Sequence, residues 1–316
     1  MQKSLLITIG LTCYNAEDTL SAAVECALQQ DWDNVEIIII DDCSTDSSYQ
    51  VATDYQKSYQ NIKVYKNDKN RGVAFSRNEI IQKASGALIA FFDDDDISAP
   101  TRLSAQYQAI IKGEAQHKLV ICHTARKQLY PDSSNRIEPV VRSCVGVNVA
   151  KRILYGRPTK EDFIGSYATC SQAARTSVYK ELLGFDVKFR RCEDTDFAVR
   201  AALYGAAFIG IDTPLVTQTM TSSSDKTMAL EKLYFRRLLD KHSEFLRQEN
   251  RYKHTVKWLD LKYDYYEGNK FKLVWELIML LATNPVKTIQ RILWSMPNQK
   301  FNKGYKKYKK EGGYNE

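Results

Sequence analysis

The sequence predicts an α/β fold: an open, mostly parallel sheet flanked by helices, with a helical extension at the C-terminal end. Short apolar runs rich in β-branched residues recur through residues 1–125, as in strands buried on both faces. Between them apolar residues return every three to four positions, the spacing of helices with one buried stripe. From Lys226 onward the chain turns helical and basic, with Leu230, Leu233, Leu238 and Leu239 as its first stripe.

Leu5 to Leu11 reads as the first strand. A helix begins after Asn15 and carries Leu20, Ala23, Val24, Ala27 and Leu28 on one face. Val35 to Ile40 is the second strand, and the rhythm repeats with a helix from about Ser47 and a strand over Ile62 to Tyr65. A helix after Gly72, a strand over Ala87 to Phe92, a helix from about Thr101 and a strand over Leu119 to Cys122 follow. Residues 126–160 are poorly periodic and contain Pro131, Pro139 and Pro158, so loops with short strands are expected there. A helix from Thr176 ends near Gly184, a second runs from Glu193-Asp194 to Tyr204 and is closed by Gly205, and a strand covers Ala207 to Ile211.

The chain has 316 residues, 44% hydrophobic and 26% charged, which excludes a fibre or a disordered tract and allows about two domains. Seven scattered cysteines form no Cys-x-x-Cys pair, which excludes a zinc ribbon or thioredoxin-type motif and points to reduced thiols in the cytoplasm. The opening apolar run is too short and too β-branched for a signal peptide, so no secretion is expected. No Gly-x-Gly-x-x-Gly or Gly-Lys-Ser/Thr loop occurs, which argues against a dinucleotide dehydrogenase and a P-loop enzyme, and the four histidines show no ligand spacing. The net charge of +7 is uneven: residues 226–316 carry 20 Lys and Arg against 10 Asp and Glu, leaving residues 1–225 at −3.

Open α/β sheets bind ligands at the carboxyl ends of their strands. Three polar clusters fall there: Thr12-Cys13-Tyr14-Asn15, Asp41-Asp42-Cys43-Ser44-Thr45-Asp46, and Asp93-Asp94-Asp95-Asp96. Carboxylates about 4 Å apart repel by roughly 4 kcal/mol at an effective dielectric of about 20, so four in a row call for a divalent cation, Mg²⁺ or Mn²⁺ by their hard oxygen ligands. The alternative is a solvated turn capping the helix after Ser98-Ala99-Pro100, for which a single aspartate suffices. Asp41-Asp42 suits an Asx turn when taken alone, but at a neighbouring strand end it would share the crevice. Glu193-Asp194 is favoured by the dipole of the helix it opens and is equally a candidate general base. Gly72 allows close backbone approach before its helix, and Arg77 is placed to pair with a diphosphate or with nearby aspartates.

Together these residues resemble the inverting family 2 glycosyltransferases, whose catalytic domain has the GT-A fold of nucleotide-diphospho-sugar transferases. Thr12-x-Tyr14-Asn15, Asp41-Asp42-x-Ser44-x-Asp46, Asn70-x-Gly72 with Arg77-Asn78, Ala84-x-Gly86 and Asp93-x-Asp95-Asp96 look like that family's donor-side motifs. Gly184-Phe185-Asp186, Glu193-Asp194-x-Asp196, Arg200 and Gly205 look like its acceptor-side element. The resemblance implies that Thr12, Tyr14 and Asp42 hold the nucleotide base, Asp94 meets the ribose, Asp95 ligates the metal and Asp93 supports both. Asn15, Ser44, Arg71 and Arg77 complete the nucleotide-sugar-binding set, and Asp194 with Glu193 forms the catalytic pair. It also implies a metal-dependent hexosyl- or N-acetylhexosaminyltransferase, using a UDP-sugar and a saccharide or lipid-linked acceptor in cell-surface polysaccharide synthesis. Residues 1–225 would be the catalytic domain, with a nucleotide-sugar-binding half at 1–125 and an acceptor-side half at 126–225, and 226–316 a basic helical region. The chain departs from the family after Pro214-Leu215-Val216, where Thr217 to Ser224 replace an aromatic, Arg or His that touches the diphosphate.

The stretch from Lys272 to Ala282, eleven residues ahead of Asn284-Pro285, is too short to cross a bilayer, which takes about 20 apolar residues. Two readings stay open: a helix packed on the catalytic domain or on a second copy of the chain, or one lying on an anionic membrane surface, aided by Arg291, Trp294 and the run Lys303 to Lys310. The second would place the protein peripherally on the inner face of the plasma membrane. The Tyr305-Lys306-Lys307-Tyr308 run is too little to argue for nucleic acid. Two rival functions remain: a haloacid-dehalogenase-type phosphatase, whose Asp-x-Asp also follows an apolar strand, and a non-catalytic glycosyltransferase-like scaffold.

Overall fold

A ten-stranded sheet organises the first part of a computed structural model that describes residues 5–130, 134–138, 143–158, 167–220 and 227–295. Its strands are β1 (Ile7–Cys13), β2 (Val35–Asp41), β3 (Ile62–Lys66), β4 (Leu88–Asp93), β5 (Asp96–Ser98), β6 (Val120–Leu129), β7 (Asn135–Glu138), β8 (Ser143–Val145), β9 (Gln172–Arg175) and β10 (Ala207–Thr219). The helices are α1 (Leu20–Leu28), α2 (Ser48–Ser58), α3 (Val73–Lys83), α4 (Arg102–Glu114), α5 (Val147–Tyr155), α6 (Thr176–Glu181) and α7 (Glu193–Leu203). The chain divides into two units, Met1–Val147 with Glu161–Met220 and Asn148–Lys160 with Thr221–Glu316.

The strand order is β3-β2-β1-β4-β9-β6-β10-β5, with β7 added on β6 and β8 on β10. Strands β3, β2, β1 and β4 run parallel, and so do β6 and β10; β9 lies antiparallel between β4 and β6. Two antiparallel steps leave β4, β6 and β10 pointing the same way, so their carboxyl ends share one edge with those of β1 and β2. The register puts Cys13 opposite Asp41 and Thr12 opposite Asp93, which aligns the three polar clusters along that edge.

All seven residues of β1 are buried, as expected of a central parallel strand covered on both faces. Ile7, Ile9, Leu11, Ile37, Ile39, Ala90 and Phe92 form one face of the core, against Leu20, Ala23 and Val24 of α1 and Leu103 and Ile110 of α4. At the opposite edge of the sheet, buried Glu36 accepts from Thr8 Oγ1 (2.7 Å) and from the Ser85 and Gly86 amides (2.6 and 3.0 Å), while Lys63 approaches its other oxygen. Burial works against the charge, but these donors together hold Glu36 below its ordinary value.

The expected alternation is present, with four differences, the first being that β6 runs past the expected end at Cys122 to Leu129. Where loops were expected, Val147–Tyr155 is a helix: the nine residues between Gly146 and Gly156 contain neither Pro nor Gly and bury Val149, Ala150, Leu154 and Tyr155. Strand β10 continues beyond Ile211 to Thr219, because register shifts on either side of Pro214 place that residue at an irregularity where its missing N–H is tolerated. Strands β5 and β9 are antiparallel insertions too short to leave a periodic signal.

The second unit contains α8 (Met228–Lys241), α9 (Ser243–Gln248), α10 (Tyr252–Glu267), α11 (Lys270–Thr283) and α12 (Pro285–Ser295). Thr227 caps α8 by accepting from the Leu230 amide, Asn269 caps α11 by accepting from the Lys272 amide, and left-handed Gly268 closes α10. The run Lys303 to Lys310 lies outside the described residues.

Gly86 is required at the start of β4, because a Cβ there would stand 2.5 Å from the Thr8 amide nitrogen and 2.9 Å from the Ile7 carbonyl carbon. Gly86→Ala is expected to lower unfolding stability in urea by about 1–3 kcal/mol. Gly205→Ala, where nothing lies within 4 Å of the added carbon, meets only the left-handed backbone penalty and should cost less.

Candidate functional site

The loops after β1 and β2 are tied together by side chains that bond to backbone. Asn15 sits in the left-handed region (φ 50°) and accepts from the Thr45 amide (2.9 Å), while its own amide donates to Ser44 Oγ (3.0 Å). The two aspartates that end β2 divide their work. Asp41 is fully buried and accepts from the Ser44 amide, the turn that its sequence position suggested. Asp42 accepts from Asn67 Nδ2 (2.7 Å), the Arg71 amide (2.9 Å) and the Gly72 amide (2.7 Å), fixing the segment that leads into α3. Three donors leave this carboxylate about one of its roughly four acceptor positions. Thr12 is buried at the end of β1, whereas the Tyr14 side chain is nearly half exposed. The Arg71 guanidinium lies at the surface, paired with Asp68 (2.9 Å) and stacked on Phe75.

The four aspartates after β4 do not share one environment. Asp93 pairs with Arg77 at 3.0 Å, and Asp94 accepts from the Tyr14 amide at 3.1 Å, linking the β4 end to the β1 loop. Burial, then the Asp95 charge, pushes Asp94 up to about 7. Asp96 opens β5, whose antiparallel pairing with β10 leaves it 3% exposed. Neither of its oxygens receives a hydrogen bond from a nitrogen or oxygen donor among the described residues. Burial, followed by Asp93 and Asp95, raises it to about 8, and the weakly polar Cys170 thiol offsets little of this. Asp93, Asp96 and Cys170 bring ligand-capable atoms within 4.8 Å of one another; Asp95, the metal ligand implied by the resemblance, is outside that trio.

Arg77 joins this cluster to the start of α7. Its guanidinium is buried and bonds Asp93 on one side and Glu193 on the other, at 3.0 and 2.8 Å. Burial opposes its charge, but Asp93, Glu193 and Asp194 together hold it more firmly protonated than an ordinary arginine. Burial and the adjacent Asp194 push Glu193 up to about 7, against the pull of Arg77. Asp194 itself accepts from the Thr195 amide (2.6 Å) and hydroxyl (3.0 Å), so its carboxylate is steadied at the first turn of α7. Three acidic residues occupy that turn, where the helix dipole favours them.

The neighbouring residues of α3 and its entry loop hold the segment before α7. Asn78 accepts from the Phe185 amide and donates to the Phe185 carbonyl, both at 2.8 Å. A Cβ at left-handed Gly184 would lie 2.3 Å from Asn78 Oδ1, so this contact needs glycine. Arg190 bonds Asn70 Oδ1 at 2.6 Å and covers Gly72. Arg200 bonds Asp196 and the carbonyls of Leu182 and Gly184, fastening the same turn from within α7.

Sequence reasoning therefore found Arg77, Asp93, Glu193 and Asp194, which the fold brings together, but missed Arg190, Cys170 and Arg126. Arg126 is a buried cation between Cys170, Gln218 and Glu138, partners contributed by three separate segments, so no local pattern announces it. His123 is buried beside Gln172, and burial lowers it to about 3, which keeps it neutral.

Three comparisons bear on this arrangement. The Escherichia coli UDP-Glc:alpha-D-GlcNAc-diphosphoundecaprenol beta-1,3-glucosyltransferase WfaP is 41% identical over 101 residues, 32% of this chain and 39% of that protein. The chain thus spans about two fifths of the length of that curated relative. Staphylococcus aureus TarS 1-349, solved with UDP-GlcNAc, superposes with a TM-score of 0.63 at 16% identity, over 96% of this chain and 90% of that one. The mannosyltransferase PcManGT from Pyrobaculum calidifontis, solved with GDP-Man and Mn²⁺, gives a TM-score of 0.58 at 14% identity over 96% and 84%. Both structural neighbours share the GT-A arrangement of a mostly parallel sheet between helices. The sequence profile of glycosyl transferase family 2 matches residues 8–181. With that match spanning more than half of its length, the chain belongs to glycosyl transferase family 2.

Proposed function

We propose that this protein transfers a sugar from a nucleoside-diphosphate donor, a UDP-sugar, to a hydroxyl of a saccharide or lipid-linked acceptor, inverting the anomeric carbon, in the synthesis of a cell-surface polysaccharide. The observation that carries this reading is the Arg77 bridge, which links the carboxylates after β4 to the pair that opens α7. Donor-side and acceptor-side groups are thereby held against one another. The donor and acceptor in the name of WfaP support a UDP-sugar and a lipid-diphosphate acceptor for this chain. Family membership sets aside the phosphatase alternative.

In this reading Asp194 takes the acceptor's proton as the acceptor oxygen bonds to the anomeric carbon and the bond to the diphosphate breaks. Asp194 is held for this role at the first turn of α7, where Thr195 donates to its carboxylate from both amide and hydroxyl. Tyr14 offers an exposed ring to the base of the nucleotide, with Thr12, Asn15, Asp42, Ser44 and Arg71 around it and Asp94 at the ribose. The residues present fit a divalent cation: Asp96 is a buried carboxylate without an N–H or O–H donor among the described residues, and Asp94 and Asp96 are both raised by burial and then by their neighbouring carboxylates. Asp95, supported by Asp93, would hold Mg²⁺ or Mn²⁺, which neutralises charge on a departing diphosphate when bound. Cys170, whose thiol burial keeps protonated, adds no charge to such a set.

Asp194→Asn should reduce kcat about 100-fold or more while leaving donor protection in a thermal melt intact, and an unchanged kcat removes this residue from the mechanism. Asp95→Ala should abolish both transfer and its dependence on Mn²⁺; full turnover in chelator would refute a metal role. The same carboxylates fix the sign of a pH effect. Asp94 and Asp96 bind protons in the folded chain up to about 7 and 8 that they release near 4 when unfolded. Their contribution to stability therefore falls as pH rises from about 4 to about 8. In chelator, Asp96→Asn should raise the melting temperature relative to the parent at about pH 9 and not at about pH 4, and Mn²⁺ should narrow the difference.

A further inference from the structure

The helices α11 and α12 each turn an apolar stripe to solvent. On α11, Phe271, Val274, Trp275 and Ile278 recur at helical spacing on one face, with Phe271 85% and Trp275 58% exposed. Leu280, on the opposite side of that helix, is its buried residue. On α12, Val286, Ile289 and Leu293 repeat the pattern, with Val286 67% exposed, while Thr288 is buried and donates to the Leu280 carbonyl at 3.1 Å. The exposed stripes are thus distinct from the residues that join the two helices. Apolar faces of this extent on consecutive helices mark a docking surface.

Neither helix is long and apolar enough to cross a bilayer, so the surface is one that lies on its partner and does not pass through it. Charge selects the partner. Residues 270–295, which hold both helices, carry four Lys and Arg against one Glu, and the sequence after them, 296–316, adds six Lys against two Glu, so that residues 1–269 are left neutral. A second copy docked stripe to stripe would bring two such segments together and repel, whereas an anionic lipid surface neutralises them. An exposed aromatic and aliphatic face on helices of positive net charge is the composition of an interfacial helix, with Trp275 suited to the headgroup level.

We propose that α11 and α12 form a docking surface for a bilayer rich in anionic lipid, seated by the Phe271–Ile278 stripe of α11 and the Val286–Leu293 stripe of α12. This goes beyond the catalytic reading and does not depend on it. The test is sedimentation of the full chain with vesicles of phosphatidylcholine, with and without phosphatidylglycerol. The chain should bind the anionic vesicles, fail to bind pure phosphatidylcholine, and lose binding several-fold as salt is raised. The double variant Trp275→Glu/Ile278→Glu should bind at least about tenfold more weakly with an unchanged melting temperature, since both side chains are exposed in the parent. Absence of binding at low salt, equal binding by the double variant, or a dimer in solution that the double variant dissolves would each overturn the proposal. Donor protection in a thermal melt reports on the strand-end site separately, so a failure here and a failure of the catalytic reading are distinguishable.

Discussion

One buried guanidinium holds the two halves of the candidate site in register. Arg77 lies between Asp93 and Glu193, residues that end a strand and begin a helix 100 positions apart in the chain. A charge in the interior costs free energy unless paired, and removing one member of such a group typically destabilises by about 3–5 kcal/mol because the others are left uncompensated. Position 77 is therefore constrained twice, by the fold and by the alignment of the carboxylates. Its other neighbour, Asn78, bonds both polar groups of the Phe185 backbone, so a single turn of α3 orients the β4 end and the approach to α7 together.

The same economy of means governs the loops. Asp41, Asp42 and Asn15 each satisfy backbone N–H groups that no strand or helix partner reaches, and an unsatisfied buried donor costs about 1–3 kcal/mol. The loops at the carboxyl edge thus gain fixed shapes from side-chain acceptors. At the opposite edge Glu36 does the same for the entry into β4. Identical chemistry at the two edges differs in consequence because, among the described residues, the carboxyl edge also crowds several carboxylates together. Asp94 and Asp96 are raised by burial and crowding, whereas Glu36 is lowered by its donors. A site that stores electrostatic repulsion is a site prepared for a cation or a proton, and one that has relieved it is not.

The second unit follows different physics. Its helices are begun and ended by local signals, Thr227, Asn269 and Gly268, but its surface keeps apolar stripes that a chain folded for itself would bury. The helices that carry those stripes, residues 270–295, hold four Lys and Arg against one Glu. The candidate catalytic site and the proposed docking surface are thereby drawn from separate stretches of sequence.

The sequence by itself determined the alternation of strands and helices, the central place of β1, and the edge at which the chemistry gathers, because hydrophobic periods of two and 3.6 and the preference of strand ends for ligands are local or topological rules. It also marked Asp93–Asp96, Glu193 and Asp194 as exceptional by their density of charge. Only the tertiary structure decided which carboxylate does what. Asp41 and Asp42 are neighbours with the same side chain, yet one closes a turn and the other fixes the loop before α3, a difference set by which amides the fold delivers to each. Asp96 reads as one of four alike, and its isolation arises because β5 pairs with Val216–Gln218 of β10, more than a hundred residues away. Partners that meet through long-range pairing leave no local trace, since pairing depends on backbone geometry that a stretch of sequence does not carry alone.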